Sequence, residues 1–142
     1  MRNPTRTAMQ FASTIQVSLW SKKMNRLEQG CECCQQGEFL TAIAHFDQAI
    51  QAVPTCATAW NYRGNALSGL KRYAEALRDY DQAVFLKSDY HAAWFNRGAM
   101  LTEMAAYGNA IASYDRAIQH KPDPVYLHAR ASIGIKQQLI FT

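Results

Sequence analysis

Apolar residues in the middle of the chain recur with a helical period. Between residues 73 and 86, Tyr73, Ala76, Leu77, Tyr80 and Val84 fall at spacings of three, four and seven, which puts them on one face of a helix. Just before it, Trp60, Gly64, Ala66 and Leu67 form a second stripe. The pair of stripes then recurs. Displacing the sequence by 34 residues stacks Gly30, Gly64 and Gly98, then Phe39, Tyr73 and Tyr107, then Ala42, Ala76 and Ala110. Phe46, Tyr80 and Tyr114 align in the same way, as do Asp47, Asp81 and Asp115, and Ala49, Ala83 and Ala117. Trp60 falls with Trp94, Leu67 with Leu101, and Pro54 with Pro122.

The pattern predicts helices over 23–36, 39–52, 57–70, 73–86, 92–104 and 107–120, with a last one over 125–138. Pro54 and the run Lys121-Pro122-Asp123-Pro124 bar continuation of the helices before them. A glycine inside a helix costs about 1 kcal/mol against alanine. Three equivalent glycines therefore predict a close helix–helix approach, here placed against the recurring alanine. Each helix pair leaves one apolar face uncovered, so the pairs must stack. The expected fold is all-α, an α-solenoid of antiparallel helix pairs. The expected division is a basic extension (1–22), three repeats (23–56, 57–90, 91–124), a capping helix (125–138) and a tail (139–142).

Trp60, Gly64, Leu67, Tyr73, Ala76, Tyr80 and Ala83 resemble the tetratricopeptide repeat, as do Trp94, Gly98, Leu101, Tyr107, Ala110, Tyr114, Ala117 and Pro122. The first copy departs from it, with Arg26 at the tryptophan place and Cys33 at the leucine place. The local spellings Trp-x2-Arg-Gly and Tyr-Asp-x-Ala-Ile/Val are similar to arrays of bacterial and photosynthetic lineages. The resemblance implies a non-catalytic scaffold whose first helices line a groove for a peptide or helix of a partner protein. By that resemblance the groove holds Asn61, Tyr62, Asn65, Phe95, Asn96, Ala99, Glu103, Tyr126 and Arg130, with Leu27, Cys31 and Thr58 at its start. Asparagine offers a peptide both a donor and an acceptor.

Members that clamp the terminal carboxylate of heat-shock chaperones use a Lys and an Asn, then an Asn, then a Lys and an Arg. Those places are Leu27, Cys31, Tyr62, Ala92 and Asn96 here. Threaded one repeat later, they are Asn61, Asn65, Asn96, Tyr126 and Arg130. Both lysines are missing on either threading, and charge-assisted bonds supply most of such a grip.

Composition narrows the alternatives. The net charge of +4 comes from the start of the chain, where Arg2, Arg6, Lys22, Lys23 and Arg26 precede any acid. The repeats are near neutral and lack the basic stripe that grips nucleic acid. No apolar run approaches the eighteen or so residues of a membrane span. Cys31, Cys33, Cys34 and Cys56 have no disulfide spacing, which suits a reducing compartment, the cytoplasm by default. On one helix only Cys31 and Cys34 share a face, too few for zinc. The four histidines form no metal-binding spacing, and no phosphate loop, nucleophile elbow or carboxylate pair is present. No cofactor and no enzymatic activity are expected.

The two ends leave alternatives open. Ala8, Phe11, Ala12, Ile15 and Leu19 lie at helical spacing in an acid-poor segment. That segment reads as a terminal extension over the first repeat, a targeting or membrane-surface helix, or sequence ahead of a true start at Met24. Ile133, Ile135, Leu139, Ile140 and Phe141 make the last helix apolar for a cap, which suggests homo-oligomerisation. Its register is ambiguous by one residue. The strict period puts His128 at the tryptophan place, whereas deleting one residue puts Leu127 there and Arg130 beside Arg63 and Arg97.

Overall fold

The computed structural model describes residues 4–140 as seven α-helices: α1 (Pro4–Gln35), α2 (Phe39–Ala52), α3 (Ala57–Gly69), α4 (Tyr73–Leu86), α5 (His91–Glu103), α6 (Tyr107–His120) and α7 (Pro124–Ile140). No strand occurs among the described residues. Each helix packs on the next, and α1 also meets α3, as α3 meets α5. The first helices of successive pairs thus approach one another directly, which puts them on the inside of the solenoid's curve.

One packing event repeats along the core. Phe46, Tyr80 and Tyr114, on α2, α4 and α6, are almost wholly buried. Their rings lie on Gly30, Gly64 and Gly98 of the preceding helices, in the notch left by the missing side chain. A Cβ on Gly64 would stand 2.7 Å from Tyr80 Cε1, and one on Gly98 would stand 2.7 Å from Tyr114 Cε1. The close approach is therefore made by an aromatic ring, and the recurring alanine is not its partner. Ala42, Ala76 and Ala110 are fully buried nearby, where a larger residue would hold the helices apart.

The turn inside each pair is equally regular. Gly37, Lys71 and Ala105, 34 residues apart, all have positive φ: 77°, 59° and 58°. The next residue's N–H reaches back to the helix: Glu38 to Cys33, Arg72 to Leu67, and Ala106 to Leu101. This is a left-handed helix stop that satisfies terminal carbonyls. Only the first repeat uses the glycine that such a backbone favours.

Two polar devices join neighbouring pairs. The Trp60 indole donates to the Pro54 carbonyl at 2.9 Å, and Trp94 donates to that of Ser88 at 2.8 Å, pinning the turn before each helix. Arg63 pairs with Asp47 at 2.8 Å, Arg97 with Asp81 at 2.6 Å, and Arg130 with Asp115. The recurring aspartate thus holds the arginine of the following repeat.

That ladder fixes the register of α7. Arg130 continues the arginine column, and Tyr126 and Ile133 fall on the buried columns of Ala93 and Met100. The one-residue deletion is correct. Asp123 caps the helix by accepting the Val125 N–H at 2.9 Å, with Pro124 in the first turn.

The outer helices run past their expected ends. α7 starts at Pro124 and reaches Ile140; Phe141 lies outside the described residues. α1 does not begin at Lys23 but runs unbroken from Pro4. The repeat period sets a packing unit, not a helix end, and no helix breaker stands between Pro4 and Gly30. Residues 8–22 are exposed, so they do not cover the first repeat.

These contacts predict opposite signs for two Gly→Ala changes. Gly64→Ala should lower the unfolding free energy by about 1–2 kcal/mol, since overpacking against the fixed Tyr80 ring outweighs the helix-propensity gain. Gly134→Ala, where a Cβ would meet nothing within 4 Å, should raise it by up to about 1 kcal/mol. Urea titration of both variants checks the pair. The same titration should show Ala105→Gly stabilising by about 0.5–1 kcal/mol, by relieving a left-handed non-glycine backbone.

Candidate functional site

The inner surface of the solenoid carries a ladder of side-chain amides. Asn61 and Asn65 sit one turn apart on α3, and Asn96 faces them from α5. Asn96 Nδ2 donates to Asn61 Oδ1 at 3.0 Å and to Asn65 Oδ1 at 3.1 Å. The Tyr80 hydroxyl also donates to Asn65 Oδ1, at 2.8 Å. Asn61 Nδ2 in turn donates to the Tyr90 hydroxyl at 3.3 Å. Two donors thus occupy Asn65 Oδ1. Among the described residues, Asn65 Nδ2 is left as a donor and Asn96 Oδ1 as an acceptor, on adjacent repeats.

Asn61 is only 2% exposed, which separates its role from that of its neighbours. Its side chain fixes Asn96 and Tyr90 from behind, whereas Asn65 is exposed and Asn96 half-buried. Tyr62, the next residue on α3, packs its ring 5.9 Å from that of Phe46.

Toward the N-terminal end, Tyr62 borders an open cavity of about 680 Å³ between α1 and α3. Leu27, Cys31, Cys56, Thr58 and Met24 also line it. Burial pushes the Cys31 thiol and the Tyr62 phenol up, and Lys23 and Glu28 supply the charged groups at the cavity's rim.

Toward the other end the surface is aromatic. Phe95 stacks on Tyr126 with centroids 4.5 Å apart and packs against Tyr114 at 5.5 Å. The Tyr126 hydroxyl lies 2.8 Å from His91 Nδ1, fastening α7 to α5. Ala99 is half-buried against the Leu67 and Tyr80 cluster. Glu103 is exposed at the end of α5, and its charge adds to the burial that raises the Tyr114 phenol.

Of the nine residues expected in the groove, the hydrogen bonds join Asn61, Asn65 and Asn96, and ring stacking joins Phe95 and Tyr126. Arg130 does not join them. Its guanidinium is tied to Asp115 on α6, in the column of Arg63 and Arg97 that faces the second helices.

Asp79 escaped the sequence reading. It is 5% exposed and takes Arg63 through both carboxylate oxygens, at 2.7 and 2.8 Å, in a polar cavity of about 500 Å³. Hydrogen bonding to Asp79 is the largest cause holding the Arg63 pKa above its ordinary value. The 34-residue column gives His45, Asp79 and Ser113, which share no residue type, so alignment carried no signal. Each nonetheless meets an arginine: His45 lies 3.5 Å from Arg26, and Ser113 accepts from Arg97 at 2.6 Å. No group of three or more His, Cys, Asp or Glu among the described residues is placed to hold a metal ion.

Comparison with known proteins agrees with this architecture. The family described as Tetratricopeptide repeat matches residues 27–89 and again 64–125. No curated protein matches the chain. Among solved structures, it is similar to the first TPR of Spaghetti (RPAP3) bound to the HSP90 peptide SRMEEVD, with a TM-score of 0.78 at 24% identity. That match covers 86% of this chain and 95% of the other. The first TPR domain of human RPAP3 gives a TM-score of 0.77 at 25% identity, covering 79% of this chain and 89% of that one. The Arabidopsis OM64 TPR domain gives 0.80 at 18% identity, covering 83% and 98%.

The tyrosines behind the amide ladder predict an alkaline weakness. Burial first, and then the charge of Asp79, push the Tyr80 phenol well above the usual tyrosine range. Below about pH 10 the phenol is protonated in both folded and unfolded chains. Above that, the unfolded chain releases a proton that the folded one keeps, so stability falls as pH rises. Tyr80→Phe should cost about 1 kcal/mol at neutral pH through the lost bond to Asn65. It should also flatten the decline above about pH 10, as read from thermal melts across that range.

Proposed function

Because the chain belongs to the tetratricopeptide repeat family, we propose that it is a protein-interaction scaffold that takes an extended segment of a partner protein along the inner face of α1, α3, α5 and α7. The observation that carries this reading is the paired Asn65 Nδ2 donor and Asn96 Oδ1 acceptor. A peptide backbone offers one acceptor and one donor per residue, so the two amides match its repeating chemistry. Tyr62 and the adjoining cavity take an apolar side chain at one end, and the half-buried Phe95 ring, backed by the buried Tyr126, takes another beyond the ladder. Asn61 acts as the support that holds Asn96 in place. Because the ladder is already hydrogen-bonded, little side-chain order is lost on binding.

The similar Spaghetti domain holds an HSP90 peptide that ends in the acidic sequence EEVD. For this chain we propose a different anchor. None of the nine groove residues is a lysine; Lys23, at the rim of the α1–α3 cavity, lies 5.9 Å from the Trp20 ring, and Arg130 is engaged by Asp115. The partner segment is thus held by backbone bonds and apolar side chains, and its terminal carboxylate is dispensable. A non-catalytic role in the cytoplasm fits this reading. Self-assembly through the apolar ends is the second reading, favoured by the exposed Ile135, Leu139 and Ile140 of α7.

The test is capture of partners from native lysate with the wild-type chain and with an Asn65→Ala/Asn96→Ala variant, followed by affinity measurement on peptides from any captured protein. The variant should bind about tenfold or more weakly while its melting temperature changes little. Amidating the peptide's C-terminus should leave affinity unchanged. Equal binding by variant and wild type would refute the groove assignment, and a large loss on amidation would restore the carboxylate anchor.

A further inference from the structure

The first half of α1 leaves the body of the solenoid. At 32 residues α1 is about 48 Å long, against about 21 Å for the 14-residue α2 packed on it. Their contact ends near Leu19, Lys22 and Arg26, which border a cavity with Gln48, Gln51 and Ala52 at the end of α2. Ahead of that point the helix is a bare arm.

That arm is too apolar for an ordinary solvated helix. Met9, Phe11, Ile15, Val17 and Trp20 are 58–74% exposed, and Leu19 is 40% exposed. At 100° per residue, these side chains with Ala8 and Ala12 spread over an arc of about 240°. The remaining strip carries Gln10, Thr14, Ser18 and Ser21, none of them charged. Ser13 and Gln16 interrupt the apolar arc. The Ser13 hydroxyl donates to the Gln10 carbonyl at 2.9 Å, as Thr14 does at 2.8 Å, so both are satisfied within the helix.

Charge selects the occupant. The sequence holds no acid before Glu28, whereas Lys22, Lys23 and Arg26 gather at the base of the arm. Lys23 lies 5.9 Å from the Trp20 ring, so an aromatic and a cation stand together where the apolar arc ends. Two copies pairing their arms would bring like charges together in either orientation. The width of the apolar arc also exceeds the narrow seam a single partner helix covers.

We propose that the exposed part of α1 is a membrane-surface helix that lies in the headgroup region of an anionic bilayer. Its apolar arc enters the acyl boundary, and Trp20, Lys22 and Lys23 sit at the level of the phosphates. No described helix is long and apolar enough to cross a bilayer, so the attachment is peripheral and reversible. It leaves the inner face of the repeats open to a partner.

The experiment is flotation of the full chain with phosphatidylcholine vesicles, with and without about one third phosphatidylglycerol. The wild type should float with the anionic vesicles and much less with the neutral ones. A Phe11→Ser/Ile15→Ser/Trp20→Ser variant and a Lys22→Glu/Lys23→Glu variant should each lose about tenfold or more in partitioning. Phe11, Ile15, Trp20 and Lys22 are exposed, and Lys23 is half-buried at the rim of the α1–α3 cavity, outside the buried core, so the melting temperature of the repeats should hold in both. A fluorescence titration of the wild type with anionic vesicles needs no variant, and should give a blue shift that Trp20→Phe removes. A wild type that stays with the protein fraction and shows no shift overturns the proposal. Equal flotation with both vesicle types overturns its electrostatic part. A dimer by light scattering that only the apolar triple variant disperses, without flotation, assigns the arm to a second copy instead.

Discussion

Everything regular in this chain depends on an aromatic ring seated in a glycine notch. Where Gly64 lacks a side chain, the Tyr80 ring comes down onto the backbone of α3, and its hydroxyl emerges on the far side to meet Asn65. One residue thereby sets the spacing of a helix pair and orients a polar group on the inner surface. The Gly98 notch does the same for Tyr114, whose hydroxyl lies 3.4 Å from that of Thr102. Phe46 fills the Gly30 notch with no hydroxyl to offer. The first repeat accordingly presents thiols and apolar groups where the second presents amides.

Much of the fold was legible because a solenoid is written as a period. The columns of Gly64, Tyr80 and Ala76 each report a contact made several times over, and the helices from α2 to α6 fall within a residue of the expected limits. What the period cannot describe is whatever happens once. The continuity of α1 through Lys23 depends on the absence of a breaker, and an absence leaves no mark in an alignment. The one-residue slip in α7 needed the Arg130–Asp115 pair to settle it.

The inner surface was legible in outline only. Helical spacing put Asn61, Asn65 and Asn96 on one side, but could not say that Asn61 is buried beneath the other two. That depends on Tyr90, which stands outside the helix pattern and closes over Asn61. Asp79 was hidden for a different reason. Its neighbours at the repeat period are His45 and Ser113, so the shared property is a polar partner for arginine rather than an identity.

The arginine ladder also gives the solenoid a direction. Arg63 ties α2, α3 and α4 through two carboxylates, one of them almost wholly buried. Arg97 has a single carboxylate that is half-exposed, and the Arg130 pair is half-exposed on both sides. Ion pairs gain strength as water is withdrawn from them. The ladder is therefore driest at the second repeat and grows wetter toward α7, so salt screens its last joint more than its first.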